Sequence, residues 1–182
     1  TDRNGGYVSY AYDAKGRVIT VSSANGAGQT PFSVVRYTYD DYGRTATAAT
    51  DGMDDTVTYA YDWRGLLTRK TYATGAYEAY TYTTVGLTLT ARDVEGMVTT
   101  YTYDDMGRVS TARVGAGSGA LTTAYAYLGG DGNGVRRVTV TDPEGRATTT
   151  WYDENGRAVR QSGGGVTVAY RYDYMGNQTV AE

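Results

Sequence analysis

The sequence predicts an all-β protein: antiparallel β-hairpin repeats forming a continuous sheet. Three observations predict it. The string Tyr-x-Tyr-Asp-x-x-Gly-Arg recurs along the chain, and threonine, valine and tyrosine crowd the stretches between copies. No helical periodicity of useful length accompanies them. The second tyrosine of each copy falls at 12, 39, 61, 82, 103, 127, 152 and 172. Self-similarity at a spacing of roughly 20 to 27 residues marks a repeat array.

The hairpins follow in order. The motif reads YAYDAKGR through Tyr10, Tyr12, Asp13, Gly16 and Arg17, and YTYDDYGR through Tyr37, Tyr39, Asp40, Gly43 and Arg44. A copy without the arginine in register reads YAYDWRGL through Tyr59, Tyr61, Asp62 and Gly65. YTYDDMGR spans Tyr101, Tyr103, Asp104, Gly107 and Arg108; TWYDENGR spans Tyr152, Asp153, Gly156 and Arg157. The last, YRYDYMGN, spans Tyr170, Tyr172, Asp173 and Gly176. Two copies, from Tyr80 and Tyr125, keep the tyrosine pair but lose the aspartate.

Each copy suits a hairpin for physical reasons. Side chains alternate along a strand, so Tyr-x-Tyr puts two rings on one face. Asp-x-x-Gly suits a type I turn whose glycine takes positive φ and closes a G1 bulge. That geometry sets Tyr12 opposite Val18 and Asp13 opposite Arg17, a cross-strand ion pair. A fainter series lies half a period away at Asp2–Gly5, Asp93–Gly96 and Asp142–Gly145. A full unit is therefore strand–turn–strand–turn, about eight units and sixteen or so short strands over residues 1–182. Successive second tyrosines are expected to stack ring against ring in a ladder.

Composition narrows the class. There are 20 tyrosines and 1 phenylalanine among 182 residues, and mean hydropathy is −0.49. Such rings suit a sheet that is half buried, with each hydroxyl reaching a partner or water. Cysteine and histidine are absent, which removes disulfides, thiolate chemistry and the commonest general base. No apolar run is long enough for a membrane-spanning helix. Both ends fall inside the repeat pattern, so the chain is expected to be a fragment of a longer array. Its terminal strands are then expected to pair with further repeats of the same or another chain.

These residues resemble the RHS/YD-repeat family, and the likeness runs from Asp2 to about Gln178. The resemblance implies a spiralling YD-repeat sheet that closes into a hollow β-shell on a secreted or cell-surface protein, with this chain expected to be an arc of that β-shell. In bacterial toxin members the shell encloses a C-terminal toxin domain; animal teneurins carry a similar shell, and some members are associated with carbohydrate. A bacterial origin fits the lack of cysteine in an extracellular chain. No stretch resembles the self-cleaving core that ends the toxins' repeat region, so autoproteolysis is not implied.

The expected function is that of a non-enzymatic wall segment which encapsulates or presents an associated toxin domain. The paired acids, such as Asp40–Asp41 and Asp104–Asp105, keep register with turns and so have a turn explanation. The loops 51–55 and 129–134 offer oxygen ligands but match no calcium motif, and no cofactor or metal is expected. With a net charge of −3 and arginines about one per turn, no basic patch and no nucleic-acid partner is expected. The alternative is an adhesive, carbohydrate-binding repeat module. Trp63 and Trp151 depart from the repeat and are the candidate sugar contacts.

Overall fold

A computed structural model describes residues 6–129 and 136–181. The Asp2–Gly5 half-repeat and all but Gly129 of the loop 129–134 lie outside the described residues. The chain divides into two compact units, Thr1–Met97 and Val98–Glu182.

The first unit holds eight strands: β1 (Tyr7–Tyr12), β2 (Val18–Ala24), β3 (Ser33–Tyr39), β4 (Thr45–Thr50), β5 (Val57–Tyr61), β6 (Leu67–Thr71), β7 (Tyr77–Tyr82) and β8 (Thr88–Arg92). Each pairs antiparallel with the next in sequence. The second unit repeats the plan with β9 (Val98–Tyr103), β10 (Val109–Val114), β11 (Leu121–Leu128), β12 (Arg136–Thr141), β13 (Ala147–Tyr152), β14 (Ala158–Gly163), β15 (Val166–Tyr172) and β16 (Gln178–Ala181). Its strands also pair antiparallel in chain order. The one helical segment among the described residues is a single 3₁₀ turn at Gly117–Gly119. The all-β repeat is what the fold shows.

The turns have the geometry that Asp-x-x-Gly dictates. In the first, the Gly16 amide donates to the Asp13 carbonyl at 3.0 Å and the Asp13 amide donates to the Arg17 carbonyl at 2.9 Å. Gly16 sits at φ 77°, a left-handed conformation that a Cβ makes costly. The register then shifts by one residue, setting Tyr12 opposite Val18, which is the bulge that follows such a turn. The same pair of backbone bonds closes the turns at 40–44, 62–66, 104–108, 153–157 and 173–177. It also closes the half-period turns at 93–97 and 142–146, and the turns at 72–76 and 83–87 that lack aspartate.

Strand pairing sorts the side chains onto two faces, because directly opposed residues share a face. In the first unit one face carries the Tyr-x-Tyr pairs: Tyr37 faces Ala48, and Tyr59, Lys70 and Glu78 are neighbours in register. The other face carries Thr38, Thr47, Thr58 and Thr71 in successive pairs. Hydroxyls meet across it, Thr38 with Thr47 and Thr81 with Thr90, both at 2.7 Å. Among the described residues Ala24 is the one buried hydrophobic side chain. The sheet therefore has half-buried faces rather than a core.

One prediction follows for the turns. A Cβ built on Gly156 meets nothing within 4 Å, yet φ there is +78°. Gly156→Val should cost more than about 1 kcal/mol through backbone strain alone. Thermal melting checks this: an unchanged midpoint would count against the left-handed turn.

Candidate functional site

The repeated residues assemble into a clamp that begins as a local turn. The Asp13 carboxylate accepts the Lys15 and Arg17 amides on Oδ1 at 2.8 and 2.9 Å. Its Oδ2 accepts the Arg17 guanidinium, at 2.7 Å from Nε and 2.6 Å from Nη2. Asp40 holds Arg44, Asp104 holds Arg108 and Asp153 holds Arg157 in the same way. Asp173 has Asn177 in place of arginine and takes its side-chain amide at 3.0 Å. The aspartate thus caps the turn and aims the guanidinium together.

What the guanidinium is aimed at is the next hairpin. Arg17 lies 4.3 Å from the centre of the Tyr39 ring, Arg44 4.7 Å from Tyr61, Arg108 4.4 Å from Tyr127 and Arg157 5.0 Å from Tyr172. The tyrosine hydroxyl completes the link by donating back to the preceding hairpin. Tyr39 reaches the Val18 carbonyl at 2.5 Å, Tyr61 that of Thr45 at 2.9 Å, Tyr82 that of Leu67 at 2.5 Å and Tyr172 that of Ala158 at 2.8 Å. Arg44 also donates to the Asp62 carbonyl at 3.0 Å. Each accepting strand residue follows its own turn, so the bonds tie consecutive hairpins together.

This arrangement corrects the expected ring-on-ring ladder. Among the described residues one ring pair occurs, Tyr10 with Tyr12 at 6.5 Å within a single strand. At Tyr39, Tyr61, Tyr127 and Tyr172 the ring instead meets the arginine of the preceding hairpin. Cation–π contact with a guanidinium also offsets the loss of water around the charge. Tyr101, Tyr103 and Tyr152 take strand positions opposite Ala112, Val109 and Ala158. The Tyr170 hydroxyl donates to Gln161 Oε1 at 3.4 Å. Glycine keeps the space open: a Cβ on Gly43 would stand 3.4 Å from Arg17 Nη1.

Departures from the motif are repaired locally. In the hairpin with Asp62 and Gly65, Arg64 sits two residues after the aspartate, yet it pairs with Asp62 at 2.9 Å. It reaches on to the carbonyls of Thr83 and Thr84 at 2.8 and 3.1 Å. Thr83 replaces the aspartate of its turn and accepts the Leu87 amide at 3.0 Å. Around the turn at 72–76, Lys70 donates to the Tyr72 hydroxyl at 2.6 Å, and Tyr72 and Tyr80 both donate to Glu78. The bond to Glu78, with burial, pushes Tyr80 up to about 12.

The clamp aspartates are all held below the usual carboxylate range. For Asp13, Asp104 and Asp153 the largest cause is the amide of the arginine four residues on. For Asp142 it is the Arg146 side chain, and for Asp173 the Asn177 side chain. At Asp40 and Asp62 desolvation is the largest single influence and opposes the shift, but the combined bonds outweigh it.

The opposite face differs from expectation. The sequence placed arginines about one per turn with no basic patch, but strand register gathers others on the threonine face. In the first unit Arg36, Arg69 and Arg92 share it with Thr38 and Thr71. In the second unit Arg113, Arg137, Arg160 and Arg171 share that unit's threonine face with Trp151. Acids concentrate in the turns: among the described residues Glu78 is the one acid within a strand, and it points to the tyrosine face. The signal was present in the sequence as parity, since Arg36 and Arg171 sit one residue from a motif tyrosine.

The remaining candidates resolve individually. Trp63 stands 92% exposed at a turn tip, beside an open pocket of about 290 Å³ that it lines with Arg64, Tyr82, Thr83 and Thr84. Trp151 is half-buried with the Arg160 guanidinium 4.7 Å from its ring centre, which covers a ring that a sugar would need. In the loop 51–55, Asp51 is engaged by Arg36 at 2.6 and 2.7 Å and Asp55 by the Thr50 amide at 2.7 Å. Those carboxylates serve the protein rather than converge on a shared point.

The Teneurin YD-shell family model matches residues 3–128. No curated protein matches the sequence. Among solved structures, TcdB2-TccC3 superposes with a TM-score of 0.66 at 16% identity, over 93% of this chain and 11% of that one. TcdB2-TccC3-Cdc42 gives 0.65 at 16% identity, over 92% and 10%. TcdB2-TccC3 without its hypervariable C-terminal region gives 0.57 at 14%, over 94% and 12%. These likenesses show the fold, and the chain spans about a tenth of the length of the chains it matches.

Two predictions follow from the clamp. Tyr61→Phe removes the hydroxyl bond to Thr45 and keeps the ring, so it should cost about 0.5–1.5 kcal/mol. Combined with Arg44→Ala it should be non-additive in urea unfolding, because both residues act on one link. The second concerns pH. A carboxylate whose folded pKa is lowered contributes stability that is present above its unfolded value, near 3.8, and is lost as pH falls through the folded value. Urea midpoints should therefore drop on acidification below about pH 4, and Asp104→Asn should be less stable at neutral pH with a shallower acid dependence. For Tyr80 the sign reverses: stability held below the unfolded value near 10 is lost as pH rises toward 12, readable as late tyrosinate absorbance that Glu78→Gln brings to lower pH.

Proposed function

This chain belongs to the Teneurin YD-shell family and is a structural shell segment, and we propose that its shell encloses or presents an associated toxin domain. One observation carries the structural part: the repeated residues are consumed in holding hairpin to hairpin. Asp13, Arg17 and Tyr39 meet one another and the neighbouring backbone, so these motif groups are engaged in holding the wall rather than presented together for chemistry. The reading is non-enzymatic on that ground. The toxin part is supported by the RHS-type motif and by the existence of TcdB2-TccC3 with and without a hypervariable C-terminal region.

The wall reading is favoured over an adhesive carbohydrate module because the motif rings are already engaged. A sugar stacking on Tyr39, Tyr61 or Tyr172 would have to displace a guanidinium from the ring. Further YD repeats are the partners this role requires, with the array 1–182 as part of a longer run and a secreted or cell-surface location. Among the described residues no helix is long and apolar enough to cross a membrane.

The expected outcome is protection. In a polypeptide carrying this wall and its associated domain, that domain should resist protease while the wall is intact. It should be cleaved when Arg44→Ala and Tyr61→Phe weaken the clamp. Equal digestion rates with the native and weakened walls would sink enclosure while leaving the fold assignment untouched.

A further inference from the structure

The tyrosine face is internally satisfied, whereas the threonine face holds charge that the protein does not neutralise. In the first unit Arg69 on β6 and Arg92 on β8 both lie opposite Ala79 on the strand between them. Their guanidinium carbons stand 3.7 and 3.9 Å from the centre of the Tyr77 ring. Because β6 and β8 flank β7, the two groups approach that ring from its two sides. Arg69 donates Nε to Thr71 at 3.2 Å, and Arg92 donates Nη1 to the Tyr77 and Asp93 carbonyls at 2.7 and 3.0 Å. Neither meets a carboxylate among the described residues, unlike Arg17, Arg36, Arg44 and Arg64 of the same unit.

The second unit carries an independent instance. Trp151 on β13 has Arg137 opposite it on β12 and Arg160 opposite it on β14. Neither of these arginines has an ion pair among the described residues. An arginine–aromatic–arginine row on a hydroxyl-rich face thus occurs once in each unit, built from residues outside the Tyr-x-Tyr-Asp-x-x-Gly-Arg motif.

We propose that the threonine face of the first unit binds an acidic polypeptide segment, whose carboxylates pair with Arg69 and Arg92 where the two flank the Tyr77 ring. The ring holds each guanidinium in a fixed plane, and a fixed fork suits bidentate contact with a carboxylate. Charge complementarity favours a short segment over a long polyanion. The flanking turns carry acids that no ion pair among the described residues neutralises, Asp41, Asp93 and Glu95, and a stiff nucleic acid or glycan crossing the face would run into them. Phosphate-tracking surfaces also need many basic contacts in a row, whereas two unpaired arginines define one discrete seat here. The seat does not depend on whether the shell encloses a toxin domain.

The test titrates a labelled oligoglutamate peptide into the intact chain by fluorescence anisotropy at low salt. Binding is expected, weakening as salt is added. Arg69→Gln with Arg92→Gln should reduce affinity at least about tenfold, the loss of one or two charge-assisted bonds. Arg136→Gln, on the tyrosine face of the second unit, should leave it unchanged. A variant-free measurement accompanies it: saturating peptide should slow phenylglyoxal modification of Arg69 and Arg92 on the native protein. No peptide binding at low salt, undiminished binding by the folded double variant, or unshielded arginines would overturn the proposal. So would tighter, equally arginine-dependent binding of a heparin oligosaccharide or single-stranded DNA.

Discussion

A sheet with one fully buried hydrophobic side chain among its described residues must hold itself together without a core, and everything else in this protein depends on how it does so. Burial of a full core side chain is worth about 1.5–3 kcal/mol, but among the described residues only Ala24 reaches that degree of burial. Cohesion must come from ladder hydrogen bonds and from side chains that work when partly wet. Tyrosine meets that need and phenylalanine does not. Its ring covers the neighbouring hairpin while its hydroxyl bonds a carbonyl there, as Tyr61 does with Thr45. This is the physical reason for 20 tyrosines beside 1 phenylalanine.

The aspartate converts a local signal into a long-range one. Its carboxylate caps the turn through two backbone amides and simultaneously orients the arginine. An exposed ion pair alone contributes little. Here its consequence is geometric, since a guanidinium pinned on Asp13 arrives over Tyr39 already positioned, without the entropy loss of ordering a free side chain. Turn, carboxylate, guanidinium and ring form one dependent chain. Where a link is missing, a substitute appears within the same hairpin: Arg64 two residues from Asp62, or Thr83 accepting the Leu87 amide.

How much of this was legible follows from range. The turns were legible because Asp-x-x-Gly acts within four residues, and the opposition of Tyr12 and Val18 followed from turn geometry alone. The two faces were legible through the alternation of Tyr-x-Tyr. The ring-on-ring ladder was not, because it depends on how far one hairpin is staggered against the next. That stagger brings Arg17, rather than Tyr12, against Tyr39. Trp151 illustrates the same limit: as an isolated aromatic it suggested a sugar platform, and only the pairing of β13 with β14 revealed Arg160 above it. The basic face was missed because net charge averages over faces, while parity relative to the tyrosines separates them.

Charge segregation has the same origin as the clamp. Turn chemistry draws aspartate to the loops, and β-strands disfavour it, so acids accumulate along the edges of each sheet. Arginine suffers no such exclusion, because its long stem can lie on the sheet while the head stays wet. Motif arginines are drawn to the turn aspartates and are neutralised. Strand arginines of opposite parity, such as Arg69 and Arg92, lie out of reach of those carboxylates and keep their charge. The clamp secures the repeat through the tyrosine face, while the threonine face carries hydroxyl pairs such as Thr38 with Thr47 beside arginines that meet no carboxylate among the described residues. Tyr77, where neighbouring repeats carry valine or threonine at strand starts, changes what that surface presents by gathering Arg69 and Arg92 on its ring.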